Sequence, residues 1–422
     1  MEILWKIIYN IFTPLLFLVF KFIGIFNSKI RYTLKVRKNL FKVLEDKLLK
    51  IDASKPTIWF HSSSMGEFEQ TKPLLEKYYS SNEYNIVVTF FSPSGYENQK
   101  NYQFAHVISY LPLDFYCLSK KFVEKIKPSK VFFTRYDLWP NLLWILQKKN
   151  VKTYLIDATL KDSSLRLLPI IKSFHISIFK VFDMIFTISE NDKKNILNFE
   201  VDSNKIIVAG DTRYDRVYNK SLDAKNTKLL DDKVINNKKI IIFGSSWLAD
   251  QNHYLEGLKK LLNEEENLLA IIVPHEPTKE HIKEITEKLD HKYILYSNIA
   301  EYIDERIIII DKIGLLLTLY QYANIAFVGG SFEQGIHNVL EPAVYKIPVI
   351  YGPKIENSQE AKLLIKEGVG FIFNNNEEFY FLVKDLLDDN DKREQISEKL
   401  KKIFSANIGA AERIYNYLLK LN

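Results

Sequence analysis

The chain has 422 residues, 47% of them hydrophobic and 26% charged, more than one hydrophobic core normally organises, which predicts two folded domains and excludes a disordered chain. Its net charge of +6 is concentrated at the start, where residues 1–50 hold ten Lys or Arg against Glu2, Glu45 and Asp46, a local +7 that leaves −1 for the rest. A body without basic excess argues against nucleic-acid binding, and the single cysteine, Cys117, excludes an internal disulfide or a thiolate metal site.

Residues 3–26 are almost wholly apolar, interrupted by Lys6, Asn10, Pro14 and Lys21 and followed by Lys29, Arg31, Lys35, Arg37 and Lys38. Phe26-Asn27-Ser28 is a poor cleavage site, so the segment is read as retained and not as a signal peptide. Lys21 breaks the best window for a span. The segment is therefore read as an anchor lying in or shallowly crossing the membrane interface, its cations on anionic headgroups. The alternative is an apolar helix packed on the protein itself.

Beyond residue 50, short β-branched and aromatic runs alternate with turns and helical periods, the pattern of βα units and parallel sheets. The predicted strands are 57–61, 86–91, 107–111, 130–134, 153–157, 184–188 and 206–209, then 239–244, 268–273, 293–296, 307–310, 325–328 and 348–351. Residues 218–237, polar and without a strong apolar period, read as the connection between two sets. The expected fold is α/β, two Rossmann-like domains facing across a cleft behind an N-terminal membrane-associated helix. The divisions are 1–28 (anchor), 29–220, 221–405 and 406–422 (a C-terminal helix). Ligands in such sheets bind at the carboxyl ends of the strands.

Residues 59–70 (WFHSSSMGEFEQ) run from a strand through small polar residues and Gly66 into a helix, placing Glu67 in its first turn. A carboxylate there caps the helix, worth a few tenths to about 1 kcal/mol. The same dipole keeps it ionised, as a general base must be. Spacing alone leaves both readings open. Glu69, two residues on, points along a different face.

In the second half, Gly244-Ser245-Ser246-Trp247 joins a strand to a helix, where backbone amides can approach a phosphate. Gly329-Gly330-Ser331 ends another strand. Asn338, followed three residues later by Glu341, imitates a capping box. The eight histidines are scattered, with no His-Glu-x-x-His, so no metal site is predicted. No Gly-x-Ser-x-Gly elbow or Walker loop occurs, which argues against a hydrolase or an ATPase.

Residues 64–67 (SMGE) with 72–74 (KPL), 89–97 (TFFSPSGYE), 111–114 (LPLD), 138–141 (LWPN), 209–215 (AGDTRYD), and 327–331 (FVGGS) with 337–342 (HNVLEP) and 351–353 (YGP) stand in family order. Together they resemble the 3-deoxy-D-manno-octulosonic acid (Kdo) transferases across nearly the whole chain; any one of them alone is weak. The resemblance implies the GT-B fold, with 29–220 as acceptor domain and 221–405 as nucleotide-sugar domain. It implies an inverting glycosyltransferase that moves Kdo from CMP-Kdo to a lipid A precursor (lipid IVA) in lipopolysaccharide biosynthesis. Its place would be the cytoplasmic face of the inner membrane, its partners CMP-Kdo, the lipid A precursor and the membrane surface, and it would need no cofactor beyond the donor.

By the same resemblance, Glu67 is the general base. Asp137 and Arg135 complete the predicted catalytic set. The nucleotide contacts are Ser245, Ser246, Pro274, His275, Ile313, Gly314, Leu315, Asn338, Val339, Leu340 and Glu341, with Glu341 on the ribose hydroxyls. Three positions depart from the family pattern. Many relatives carry glutamates at both 135 and 137, whereas here Arg135 could not take a carboxylate's role but could grip the donor carboxylate or a lipid phosphate, or simply pair with Asp137 or another surface acid. His275 replaces an Arg in a Pro-Arg-His-Pro segment, and Leu315 replaces the Glu of Met-Gly-Glu. Repulsion between Glu67 and an acidic donor would be offset by Arg135 or Arg213. Two alternatives are a GT-B enzyme using a UDP-sugar (a lipid or polysaccharide glycosyltransferase or an epimerase) and a non-catalytic membrane scaffold.

Overall fold

All thirteen predicted strands form, and their alternating side chains supply two faces of core. A computed structural model describes residues 2–421. The chain divides into two compact units, one comprising the residues up to Arg216 together with those from Ile408, the other Val217–Asn407.

In the first unit, β1 (Thr57–Ser62), β2 (Asn85–Phe90), β3 (Val107–Tyr110), β4 (Pro128–Thr134), β5 (Lys152–Ala158), β6 (Met184–Thr187) and β7 (Ile206–Val208) form a parallel sheet in the order β3-β2-β1-β4-β5-β6-β7. Successive residues point to opposite faces. Trp59, Val87, Val131 and Phe133 therefore join one core, while Ile58, Phe60, Val88 and Phe132 join the other. With both faces covered, the strands read as continuous apolar runs. The order reverses between β1 and β4, which makes their carboxyl ends the switch point where a ligand is expected.

The second unit repeats the plan with β8 (Lys239–Ser246), β9 (Leu268–Pro274), β10 (Tyr293–Leu295), β11 (Ile307–Ile309), β12 (Ile325–Val328), β13 (Val349–Tyr351) and β14 (Gly370–Ile372), in the order β10-β11-β9-β8-β12-β13-β14. Its switch point lies between β8 and β12. The sequence reading missed β14, which is only three residues long and begins with a glycine. It forms by pairing with β13, where a Cβ at Gly370 would stand 2.3 Å from the Tyr351 hydroxyl.

Two boundaries differ from expectation. The stretch read as a connection begins inside a helix, Thr212–Lys225, and farther on Leu230 and Val234 are buried in the second unit's core. Its few apolar residues were too widely spaced to show a period. The C-terminal helix Ala410–Leu419 belongs to the first unit. Ala411, Ile414 and Leu418 enter that core, and the Asp215 carboxylate accepts the backbone N–H of Gly409 (2.5 Å) and Ala411 (2.7 Å).

At the start, α1 (Glu2–Phe26) is a 25-residue helix whose most apolar 18-residue window has a mean hydropathy of 1.9. It is long and apolar enough to cross a membrane.

Candidate functional site

Glu67 occupies the third position of the helix Met65–Ser80, directly after β1. Its Oε2 accepts the backbone N–H of Ser64 at 2.9 Å, so the capping role expected from spacing is present. The side chain is half-buried, and among the described residues it joins no ion pair. Burial pushes its carboxyl above the usual range, and the charge of Asp137 adds to that, against the opposing Ser64 bonds. Glu69 does face elsewhere, bonded to Lys72 and to Arg216, the latter at 2.7 Å.

Asp137 reaches the same switch point from the loop after β4. Its partner is His61, fully buried at the end of β1, with Nε2 at 2.7 Å from Asp137 Oδ2. The sequence reading did not single out His61; the signal available was a histidine inside an otherwise apolar strand, where an imidazole needs partners. The register of β1 on β2 sets His61 beside Thr89. Thr89 Oγ1 lies 2.8 Å from His61 Nδ1 and 2.7 Å from Trp59 Nε1.

One proton is fixed by these contacts. An indole N–H can only donate, so Thr89 Oγ1 accepts from Trp59, and with a second lone pair and a proton of its own it can serve His61 Nδ1 either protonated or not. The Asp137 carboxylate can only accept, so its short contact puts a proton on His61 Nε2. Trp139 Nε1 also lies 3.0 Å from His61 Nε2. Were Nε2 to accept that indole N–H, the buried Asp137 Oδ2 would have no donor. With the proton on Nε2 both groups are satisfied, and the Trp139 N–H turns to Asp137. Burial alone would push Asp137 up, but the His61 charge and bond, with Ser63 and Trp139, hold it below the usual carboxylate range.

Arg135 is not the partner of Asp137. Its backbone is left-handed, φ +63°, a conformation that costs a non-glycine residue about 1 kcal/mol or more, and its N–H donates to Ile156 O at 2.8 Å. Its Nε is buried without a partner, and the guanidinium lies 5.7 Å from the Tyr136 ring. Arg213, the other expected cation, is tied to Asp211 at 2.6 Å.

Beside it, Thr212 Oγ1 stands 2.5 Å from Asp157 Oδ2 and 2.7 Å from the Gln70 carbonyl. One hydroxyl proton cannot serve both. The carbonyl only accepts, so the carboxyl of Asp157 must bring the second proton. Burial and the neighbouring Asp211 charge push Asp157 up to about 7, in keeping with that proton.

In the second unit, β8 extends through Ser246, and Ser245 takes a left-handed φ of +51°. The amides expected to face a phosphate are partly engaged by Asp250, whose Oδ2 accepts the N–H of Trp247 and of Gly330, each at 2.9 Å. Burial raises Asp250 to about 6 against those bonds. Gly329 makes the approach possible, since a Cβ there would fall 2.2 Å from Ser245 O.

Ser246, Pro274 and His275 line one cavity of about 220 Å³ with Trp247, Glu276 and Gln334. Its wall is a ring stack, with His275 4.2 Å from Trp247 and 4.5 Å from His337, while Trp247 Nε1 donates to His337 Nε2 at 2.9 Å. Burial lowers His275. Burial, then the charge of His275, lowers His337 to about 4. The stack is thus uncharged at neutral pH. Ile313, Gly314 and Leu315 follow β11, and with Asn338, Val339, Leu340 and Glu341 they lie outside this cavity's lining. The expected capping box at Asn338 is altered. Its Oδ1 accepts the N–H of Leu340 at 3.1 Å, while its amide donates to Glu341 at 3.2 Å.

A model of the family described as 3-deoxy-D-manno-octulosonic-acid transferase (kdotransferase) matches residues 36–216. A 3-deoxy-D-manno-octulosonic acid transferase of Chlamydophila psittaci is 30% identical over 334 residues, 76% of this chain and 75% of that protein. A bifunctional glycosyltransferase/methyltransferase of Fusobacterium nucleatum is 29% identical over 349 residues, 81% of this chain but 54% of that longer protein, so this chain spans about half its length. Among solved structures, a Neisseria meningitidis UDP-GlcNAc 2-epimerase bound to UDP-GlcNAc superposes with a TM-score of 0.61 at 14% identity, over 86% of this chain and all of that one. That likeness extends to the fold, the two-unit α/β arrangement named GT-B.

Proposed function

The chain belongs to the 3-deoxy-D-manno-octulosonic acid transferase family of glycosyltransferases, and from that premise we propose that it transfers Kdo from CMP-Kdo to a lipid A precursor such as lipid IVA, in lipopolysaccharide biosynthesis. The observation that carries the reading is the state of Glu67, a half-buried carboxylate at a switch point. It is held by one backbone N–H and made more basic by burial and by Asp137.

In the proposed reaction Glu67 takes the proton of an acceptor hydroxyl as its oxygen attacks the anomeric carbon of Kdo. The bond from that carbon to the CMP phosphate breaks, CMP leaves with the electron pair, and the centre inverts. A carboxylate with raised proton affinity suits this step, because a general base works best when its pKa approaches the working pH. Arg135, with an unpartnered Nε, is the cation assigned to the donor carboxylate or an acceptor phosphate. The loops after β8 and β9, with 313–315 and 338–341, are assigned to CMP. Attachment to the inner membrane is assigned to α1 and the cations that follow it, on the cytoplasmic face.

Purified protein incubated with CMP-Kdo and a tetraacylated lipid A precursor should give lipid heavier by one or more Kdo masses. Unchanged lipid, together with turnover of a UDP-sugar, would replace this reading with a UDP-sugar enzyme of the same fold.

A further inference from the structure

One face of α1 is bonded to the first unit. Trp5 Nε1 donates to Ser173 Oγ at 3.1 Å, the Tyr9 hydroxyl donates to Asp114 at 3.0 Å, and Asn10 and Asn141 exchange amide bonds of 2.9 and 3.1 Å. Phe17 packs edge-on against Phe115 at 5.3 Å. At the far end α2 (Ser28–Lys35) folds back, and Arg31 donates to the carbonyls of Gly24 and Ile25. Arg37, just beyond, donates to Phe91 and Leu111. Both ends of α1 are thereby held to the same unit. A spanning helix must put its ends on opposite sides of a hydrocarbon core about 30 Å thick, which these contacts forbid.

The opposite face is bare. Leu4, Ile7, Ile11, Leu15, Leu18 and Phe22 are 51–62% exposed. The surface continues onto the neighbouring segment, where Leu165, Leu168 and Ile170 are 70%, 50% and 76% exposed. Phe174, in the helix that follows, ties the two together through ring contacts with Trp5 and Tyr9. Lys6 and Lys21, within a first fifty residues carrying a net +7, and Lys172 beside the second segment punctuate this apolar surface. An exposed apolar stripe with such cations fits the headgroup and acyl boundary of an anionic bilayer.

We infer that α1 lies in the plane of one leaflet without crossing, and that residues 165–171 enter the same leaflet beside it. The inference rests on the reading of α1 as the membrane attachment. A lipid acceptor in that leaflet would then meet the unit that carries Glu67 without leaving the membrane.

The test uses the full chain with Cys117→Ser, single cysteines at Glu2→Cys or Asn27→Cys, and sealed vesicles of phosphatidylglycerol and phosphatidylcholine. An impermeant maleimide added outside should label both thiols equally, with no gain on adding detergent. A thiol protected until detergent is added overturns the in-plane assignment. A bimane at Ile170→Cys should lose fluorescence to shallow spin-labelled lipid as one at Ile11→Cys does; quenching at Ile11→Cys alone overturns the second contact. Failure of the protein to float with these vesicles would overturn the attachment itself, a result distinct from flotation with one protected thiol.

Discussion

Replacing Asp137 by Asn separates charge from shape at the switch point of the first sheet. The acceptor-only carboxylate of Asp137 draws the Nε2–H of His61 toward position 137, with Thr89 on the other ring nitrogen. Asn keeps that bond by turning its amide oxygen toward the N–H. Its NH₂ then meets the neighbourhood of the Trp139 N–H, and one buried donor loses its acceptor. An orphaned buried donor costs about 1–3 kcal/mol, and the loss of a charged hydrogen bond is of the same order, so Asp137→Asn should unfold about 2–3 kcal/mol more easily and still fold.

The diagnostic effect is on Glu67. With the Asp137 charge gone, one of the two influences that raise its proton affinity disappears, so the carboxyl loses its proton at lower pH. The acid limb of kcat/KM should move to lower pH while the plateau falls, because a weaker base transfers the proton less well. The assay is initial rate against pH with a lipid A precursor, alongside thermal melts of both proteins. Thr89→Val is the comparator, since it orphans Trp59 Nε1 and His61 Nδ1 but keeps the carboxylate, and it should lose stability without moving the limb toward acid. A folded Asp137→Asn protein whose limb stays in place would refute the coupling.

Glu67→Gln keeps an oxygen for the Ser64 N–H, so melting should change little while kcat falls by about 10²- to 10⁴-fold, the range for a lost general base; near-wild-type turnover would remove the assignment. Asp157 binds its proton more tightly folded than unfolded, its value rising from 3.8 to about 7. The native state therefore holds the extra proton between those limits, and stability contributed by this group falls as pH rises through them. Asp157→Asn, whose amide can donate to Thr212 in place of the carboxyl proton, should melt with a weaker dependence on pH over that window, read by thermal denaturation. Gly329→Ala forces a methyl group to 2.2 Å from Ser245 O, an overpacking worth about 1–3 kcal/mol; it should lower the melting temperature and weaken CMP binding by calorimetry.

What the sequence displayed was set by periodicity and what it concealed by pairing. Thirteen strands were legible because each is apolar on both faces over several residues, and Glu67 because small residues and Gly66 mark a helix start. β14 was not, since Gly368 and Gly370 interrupt its apolar run and the strand pairs only with β13. Nor was His61. In one dimension Trp59, His61, Thr89 and Asp137 are separate letters in separate elements, and only the register of β1 on β2 and the turn after β4 bring them together. The same limit explains Arg135, whose replacement of an acid suggested an ion pair with the acid two residues away, while His61 had already claimed that acid through the sheet. It also explains α1. An apolar run of this length fits a membrane helix or one packed on the protein, and Trp5, Tyr9, Asn10 and Phe17 fall on one helical face whose partners at Ser173, Asp114, Asn141 and Phe115 show that this face is bound to protein. Asn10, one of the polar residues that interrupt the apolar run, is thus also one that holds the helix down.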